Sequence, residues 1–404
     1  MKLFHFHHRT RHLRKRPVHV LESSLLLHVL GRSLVDVFIP ILLLQRGYSL
    51  GDVLWYCVLF MAIDIPLNFV ADWMIRRIGA IRTTMLGTIA SIAFLTLLGR
   101  LGPHSWTMLA TLAALAAIYD GLYWVGHLYL FSQSEQEGDD AHSDTGALYA
   151  IRIIGGMMGP IVGAGLLVFE NRTLLIATSV TFLLLSLIPL FGLHVPGDIP
   201  AARKRTPFRE FFSDARERYN YGGLLLYSLN DPAEAVLFPL FIYMTYKTIE
   251  SVALLAVIVA LASAGLSYAA GKFSRFHPKS MIAVGALLIA LTWIVRIAVP
   301  HPTVYYGSLL IMGFLSLITT IPMEGGVLGR AKEIEPLSAM TYRNTSTMAP
   351  QVFFFLALAL LVNVFKIGFF TAMASMFVLA AISAFILMRN RGFSGPRHAD
   401  LARP

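Results

Sequence analysis

The stretch RIIGGMMGPIVGAGLL, residues 152–167, combines an arginine, five glycines and a proline with otherwise apolar residues. So many glycines weaken a helix in water, whereas in a membrane small residues let two helix backbones approach closely. Gly155, Gly159 and Gly163 recur every four residues and therefore share one helix face. A charge at membrane depth is costly, so Arg152 is expected to pair with an acid or to bind a ligand. The stretch predicts a membrane helix with one closely packed face.

The composition of the whole chain is that of a polytopic membrane protein. Its 404 residues are 56% hydrophobic and 14% charged, whereas about a quarter of the residues of a soluble protein are charged. A span needs about 20 apolar residues. Such stretches recur and predict about twelve transmembrane helices, near 22–45, 53–75, 80–101, 105–131, 146–169, 173–195, 221–245, 250–272, 279–299, 303–328, 336–362 and 366–388.

The placement of charge predicts the topology. Basic residues crowd the N-terminus, the C-terminal tail and the loops near 76–82, 203–218 and 272–279, which all fall on one side of an even number of spans. The positive-inside rule then predicts an inner- or plasma-membrane protein with both termini in the cytoplasm. This distribution explains the net charge of +10 without nucleic acid. The single cysteine, Cys57, excludes an intrachain disulfide and a cysteine-rich metal site.

One long polar segment divides the spans six and six. We therefore predict an N-terminal six-helix bundle over 1–195, a cytoplasmic linker over 196–220 and a C-terminal six-helix bundle over 221–404. The halves resemble each other, since VDVFIPILLL matches EAVLFPLFIY and YAIRIIGGMMGP matches MTYRNTSTMAP. A parallel repeat predicts a pseudo-twofold axis along the membrane normal and a site between the bundles.

The glycine stretch resembles a motif of the major facilitator superfamily, and the resemblance covers nearly the whole chain. GGMMGPIVGAG resembles the fifth-helix motif G-x-x-x-G-P-x-x-G, met mostly in antiporters, with Gly155, Gly159, Pro160 and Gly163 in its four places. VFIPILL resembles the first-helix signature of drug exporters but lacks its second proline. The resemblance implies an all-α fold of two six-helix bundles, a drug/proton-antiporter-like branch, and a fifth helix packed between the bundles. The alternative is a close-packing stripe without a role in coupling.

A second motif lies after the second span. NFVADWMIRRIGAIR resembles the superfamily motif G-x-x-x-D-R-x-G-R-R, with Asp72, Arg77, Gly79 and Arg82 as its counterparts. Asn68 stands where glycine is usual, and extra residues separate Asp72 from the arginines. The resemblance implies a cytoplasmic latch between helices, formed by Asp72 with Arg76, Arg77 and Arg82.

Carboxyl groups at membrane depth are the candidates for proton coupling. Asp36, Asp64 and Glu234 fall within predicted spans, and a poorly solvated carboxyl can load and release a proton near neutral pH. The alternative for Asp36 is a structural ion pair with Arg32 or Arg152.

Charged and aromatic residues on other spans predict a water-filled cavity between the bundles. Arg152 and Arg343 are placed to grip an anion in bidentate fashion; the alternative is pairing with Asp120 and with Glu324 or Glu234. The fourth span carries Asp120 and no arginine, which departs from the usual proton relay of the superfamily. Arg296 and Glu324 are expected to snorkel from span ends, and Pro232 predicts a break in the seventh span. The candidate cavity residues are Arg32, Asp120, Trp124, Arg152, Asp231, Arg343 and Asn344.

No enzyme motif occurs: there is no H-E-x-x-H, no phosphate-binding loop and no G-x-S-x-G. The acid-rich loop 134–146 is expected to be solvated rather than a metal site. We therefore expect no nucleotide site, no metal and no cofactor, with a proton gradient as the energy source. The expected partners are the lipid bilayer and a small organic solute, with no nucleic acid, for a monomer. The sequence favours a secondary transporter exporting an organic solute in exchange for protons; the alternatives are an organic-anion uniporter, symporter or exchanger with paired arginines, and a non-transporting receptor or scaffold.

Overall fold

The computed structural model describes residues 17–134, 141–169, 171–195, 197–200, 204–255, 257–259, 278–331, 334–362 and 378. Helices make up the regular structure of this part of the chain, in which no strand occurs. The elements are α1 (Pro17–Asp36), α2 (Ile39–Gln45), α3 (Leu50–Ile78), α4 (Ala80–Gly99), α5 (Trp106–Ser134), α6 (Ala141–Val168), α7 (Arg172–Phe191), α8 (Phe208–Phe211), α9 (Ala215–Tyr227), α10 (Asn230–Pro232), a π-helical turn (Ala233–Leu237), α11 (Phe238–Tyr246), α12 (Ile249–Val259), α13 (Pro278–Ala298), α14 (Pro302–Ala331) and α15 (Pro336–Leu361).

The helices are those of an integral, multi-pass membrane protein. Eight helices in the described ranges are long and apolar enough to cross a bilayer. Many of their outward side chains are large and apolar, including Trp73, Ile188, Phe191 and Phe353, which are all more than half exposed in the protein alone. Lipid is the environment that such a surface requires. The predicted span near 366–388 and most of the span near 250–272 lie outside the described residues.

Prolines interrupt the first and seventh spans. The first bends at residues 37–38, between α1 and α2, just before Pro40. The seventh is assembled from α9, α10, the π-helical turn and α11, with Pro232 and Pro239 at the junctions. Proline lacks the N–H that a continuous helix needs, and a π-helical turn is a frequent consequence of such a local defect. The predicted break at Pro232 thus places Asp231 and Glu234 on irregular backbone.

Helix packing arranges the described helices in two halves. In the first half, α1 packs on α6 and α7, and α5 packs on α3 and α4. In the second half, α13 packs on α14, and α15 packs on α9. The halves meet where α15 crosses α3 and α5, and where α14 approaches α6. A central space therefore lies between α5 on one side and α9, α14 and α15 on the other.

The glycine face of α6 packs against α1. A Cβ added at Gly155 would lie 2.9 Å from Val29, and one added at Gly159 would lie 2.6 Å from the carbonyl carbon of Ser33. The Ser33 hydroxyl donates a hydrogen bond of 2.8 Å to the carbonyl of Gly155. The resemblance implied that this face lies between the two bundles; the structure instead places it inside the first half, because only glycines leave room for α1.

Candidate functional site

A cavity of about 160 Å³, the central cavity, lies where the two halves face each other. It is smaller than the pockets of about 300–1,000 Å³ that enclose drug-sized ligands, so a larger solute requires the halves to separate. Five of the seven residues predicted to line a cavity meet here. The lining consists of Asp120, Trp124, Leu224, Tyr227, Ser228, Asp231, Thr320, Met323, Glu324, Arg343, Asn344, Thr347, Met348 and Gln351.

Arg343 and Glu324 form an ion pair in the cavity wall. Arg343 Nε donates to Glu324 Oε2 at 3.1 Å, and its Nη2 donates to Glu324 Oε1. Arg343 Nη1 donates to Asn344 Oδ1 at 2.7 Å. Glu324 is only 4% exposed, so the expectation that it snorkels from a span end is wrong. Bidentate pairing with a buried carboxylate is among the stronger charge contacts in proteins, and it holds the guanidinium in place.

A second ion pair lies deeper in the second half, away from the central cavity. Arg296 is 0% exposed. Its Nη1 donates to Glu234 Oε1 at 2.6 Å, and its Nε donates to the Ser308 hydroxyl at 2.8 Å. Its guanidinium also lies 4.0 Å from the ring centre of Phe238. The prediction that Arg296 snorkels is therefore wrong, and Glu234 serves as its counter-ion.

The first half has a corresponding pair on α1. Arg32 Nη2 and Asp36 Oδ1 are 2.6 Å apart. The Arg32 guanidinium lies 4.5 Å from the ring centre of Tyr119, and its Nη1 donates to the Ser91 hydroxyl at 3.3 Å. Arg32 and Arg152 were the two predicted partners of Asp36. Within the described part of the chain, Asp36 pairs with Arg32. Arg32, predicted as a cavity residue, contacts α4 and α5 and is not among the residues that line the central cavity.

Asp64 is the candidate acid that lacks a cationic partner within the described ranges. It is 0% exposed and accepts a hydrogen bond of 2.9 Å from Asn68 Nδ2. The backbone of Gly121 on α5 also lies against the Asp64 carboxyl group, and among the described residues the Oδ1 atom of Asn68 has no hydrogen-bond partner. Asn68, which stands where the superfamily motif usually has glycine, is therefore the polar neighbour of a buried carboxyl group.

A stack of imidazole and phenol rings joins α1 to α5, and sequence reasoning missed it. The rings of His28 and Tyr123 are stacked with centres 3.6 Å apart, and Tyr123 stacks on His127 at 5.5 Å. His28 Nε2 also lies 3.0 Å from the Tyr119 hydroxyl. The signal in the sequence was the spacing of four residues between Tyr119, Tyr123 and His127, which places them on one face of α5.

The end of the helices at which residues 197–200 and 204–214 lie is here called the linker end. It carries a charge network between the halves. Arg76 Nη2 donates to Asp72 Oδ1 at 2.9 Å and to Glu335 Oε2 at 3.1 Å. Asp72 belongs to α3, whereas Glu335 caps α15 in the other half. The arginine that the motif predicted, Arg77, lies instead over the ring of Trp73 at 5.5 Å. Residues four apart lie on the same face of a helix, so Arg76 reaches Asp72. Arg77 follows Asp72 by five residues and therefore points to a different side of α3.

The sequence profile of the Major Facilitator Superfamily matches residues 22–333. The chain belongs to the Major Facilitator Superfamily. No curated protein matches it significantly. Among solved structures, the human organic anion transporter MFSD10 (TETRAN) superposes with a TM-score of 0.66 at 14% identity, covering 92% of this chain and 99% of that one. A bacterial homologue of the iron transporter ferroportin, in an outward-facing state, superposes with a TM-score of 0.67 at 15% identity, covering 93% and 98%.

These similarities confirm the predicted all-α major facilitator fold and make the protein a transporter rather than an enzyme. At identities this low, the similarity shows a shared fold but not a shared substrate. The central cavity is therefore the part of this superfamily member that bears on its substrate.

The linker of this superfamily member contacts both halves. The backbone N–H of Ile81, at the start of α4, donates to Asp198 Oδ1 at 2.8 Å. On the other half, the Tyr342 hydroxyl donates to the carbonyl of Thr206 at 2.7 Å. Arg205 lies 4.7 Å from the ring centre of Phe69 on α3. Together with the charge network, these contacts close the central cavity toward the linker end.

The remaining predicted residues lie at the start of α4, in the turn before it, within α6 or outside the described residues. Arg82 is exposed at the start of α4, and Gly79 joins α3 to α4 with a φ of 92°, a conformation that glycine adopts without strain. Pro160 lies inside α6. Arg152 also belongs to α6, but its side chain lies outside the described residues, as does the acid-rich segment 135–140.

Proposed function

We propose that this protein is a secondary active transporter that exports a small amphipathic organic solute in exchange for protons, by alternating access of the central cavity. The observation that carries the proposal is the make-up of that cavity, whose wall combines carboxyl groups with aromatic and thioether side chains from both halves. A site shared by two halves changes when the halves move against each other, as rocking transport requires.

The contacts at the linker end support alternating access. Arg76 and Glu335 belong to different halves, and so do Phe69 and Tyr342, whose ring centres are 6.3 Å apart. Opening this end breaks both contacts, and closing it restores them. We place the linker end in the cytoplasm, following the positive loops of the sequence.

The chemistry of the wall supports an amphipathic solute. Trp124, Met323 and Met348 offer apolar surface, and methionine adapts to solutes of different shape. Asp231 and Glu324 offer carboxyl oxygens. A solute with an apolar body and a polar or basic group matches this combination. The Glu324 carboxylate also holds Arg343 in place, so its removal changes the wall that the solute meets.

An organic anion is the second candidate, and Arg343 is the observation that favours it. The likeness to a solved organic anion transporter adds support at the level of the fold. Against it, both Nε and Nη2 of Arg343 are bound to Glu324. An anion must displace that carboxylate and leave it buried without its partner, which is costly.

Proteoliposomes with an imposed pH gradient test the proposal. Ethidium serves as the cationic amphipathic probe and fluorescein as the anionic one, each with and without a protonophore. We expect gradient-driven ethidium flux that the protonophore abolishes, a loss of at least tenfold in Glu324→Gln, and wild-type flux in Glu210→Gln. The control residue Glu210 is exposed on α8, outside the cavity. Flux of fluorescein alone favours the anion candidate, and no flux of either probe by folded protein contradicts transport of both classes.

A further inference from the structure

Asp64 is a fully buried carboxyl group between α3 and α5 whose side-chain neighbour is a neutral amide. Asn68 Nδ2 donates to Asp64 Oδ2 at 2.9 Å and to the Asp64 carbonyl at 2.8 Å. Three other acids of the membrane helices, Asp36, Glu234 and Glu324, each bind an arginine. Asp64 has no ion pair in the described ranges.

A negative charge at Asp64 is energetically unfavourable. Burying an ionised carboxylate without a counter-ion carries a large desolvation penalty, which the hydrogen bonds from Asn68 and from the Gly121 backbone offset only in part. A neutral carboxylic acid avoids this cost.

Asp64 lies directly behind the wall of the central cavity. A Cβ added at Gly121 on α5 would lie 3.1 Å from Asp64 Oδ1 and 3.2 Å from the backbone of Leu67. The residue before Gly121 is Asp120, which lines the cavity. The charge of Asp120 acts electrostatically on Asp64, and two neighbouring carboxyl groups resist being ionised together. A solute that binds beside Asp120 therefore changes the energy of a proton on Asp64.

The other titratable groups on the helices around Asp64 are engaged elsewhere. On α5, Tyr119, Tyr123 and His127 belong to the ring stack with His28 on α1. On α15, Glu335 binds Arg76, about 18 Å along α3 from Asp64 at 1.5 Å per residue. Also on α15, Tyr342 contacts Phe69, and Arg343 is bound by Glu324. On α4, Arg82 is exposed. In the described ranges, Asp120 is thus the charged group that faces Asp64.

We propose that Asp64, paired with Asn68, is the proton-binding site of the transport cycle, separated from the solute by α5 and linked to the central cavity through Asp120. The assignment rests on the proposed function for its role in coupling, but the protonation itself does not. The proton enters and leaves when the halves rearrange and water reaches α3. In the conformation described here the site holds its proton as a carboxylic acid.

The first experiment measures protonation without transport. Infrared spectra of the purified protein at neutral pH, in water and in heavy water, report the C=O stretch of a buried carboxylic acid, which lies apart from the carboxylate bands. We expect this band in the wild type and in Asp36→Asn, and its loss in Asp64→Asn. An unchanged band in Asp64→Asn overturns the assignment, whether or not any solute is transported.

The second experiment measures coupling in proteoliposomes. Asparagine mimics the protonated acid, so Asp64→Asn should lose ethidium accumulation driven by a pH gradient by at least tenfold while retaining ethidium–ethidium exchange within about twofold. Asp36→Asn, whose acid is already paired, is the contrast variant. Loss of coupling in Asp36→Asn but not in Asp64→Asn overturns the proposal. So does a sodium-dependent rise in thermal stability that Asp64→Asn removes, because the site then binds sodium rather than a proton. Absence of flux in the wild type contradicts the transport function and leaves the infrared result to decide the protonation.

Discussion

Replacing Gly159 by alanine tests the packing of α6 on α1. The added methyl carbon would lie 2.6 Å from the carbonyl carbon of Ser33 and 2.7 Å from the nitrogen of Leu34. Carbon atoms in ordinary contact are about 3.5–4.0 Å apart, so the two helices must separate by about 1 Å. The methyl would also overlap the Ser33 hydroxyl, which can rotate away, but the other two atoms belong to the backbone of α1, which has no rotamer to change.

The cost follows from this separation. A gap of about 0.5–1 Å forfeits a quarter to a half of the dispersion attraction between the surfaces, and overpacking typically costs about 1–3 kcal/mol. Because backbone meets backbone here, we expect about 3 kcal/mol. Alanine has a higher helix propensity than glycine, which stabilises the variant by up to about 1 kcal/mol. The expected net destabilisation is therefore about 2 kcal/mol.

Gly156→Ala is the matched control on the same helix. A Cβ at Gly156 meets nothing within 4 Å, so this variant keeps the propensity gain without the clash. The two variants should differ by about 3 kcal/mol, or about 150-fold in the unfolding equilibrium at 1.4 kcal/mol per tenfold. Titration with sodium dodecyl sulphate from mild detergent, followed by tryptophan fluorescence, measures the difference. Equal stability of Gly159→Ala and Gly156→Ala refutes the packing argument.

Three further predictions concern other contacts. Arg296→Met leaves Glu234, which is half-buried, without its counter-ion and should cost about 3 kcal/mol, whereas adding Glu234→Leu should recover most of that loss. Thermal unfolding of the single and double variants tests this, and equal midpoints would contradict it. Glu335→Gln should destabilise closure of the linker end by about 1 kcal/mol and raise the open population about fivefold. The measurement uses a cysteine-free background that carries Ser228→Cys in the cavity wall and Glu335→Gln. An impermeant maleimide added from the linker side should then react with this cysteine about five times faster than without Glu335→Gln. An unchanged rate would show that the charge network does not hold the closed state. Ser49→Ala removes the N-cap of α3, whose hydroxyl accepts from the backbone N–H of residue 52 at 3.1 Å, and should cost about 1 kcal/mol; a loss below about 0.3 kcal/mol in the same detergent titration would argue against the cap.

The sequence could predict the features that depend on local patterns. Long apolar stretches indicated membrane helices because a bilayer demands about 20 such residues. Pro232 indicated a break because proline lacks an N–H. The glycine spacing indicated a closely packed face, although the resemblance assigned that face to the wrong neighbour. A pattern on one helix defines a face, but it does not say which helix covers it.

Pairing between charges depended on tertiary structure. Arg296 looked like a snorkelling residue because it is near the end of its span, yet helix packing turns it inward to Glu234 from another helix. Arg76 rather than Arg77 joins the charge network, because the rotation of α3 against α15 decides which arginine reaches Glu335. That no arginine in the described ranges pairs with Asp64 was also invisible in the sequence, since this depends on where each arginine side chain points.

What the amino-acid sequence determined by itself was a chain of membrane helices in two similar halves, with ionisable residues in the bilayer. That much follows from hydropathy and from the helical repeat, which are local properties. Only the tertiary structure decided which of those residues neutralise one another, which line the central cavity, and which remain alone. The physical reason is that a few ångströms and a rotation of one helix separate an ion pair from a buried acid, and only packing across the whole molecule sets them.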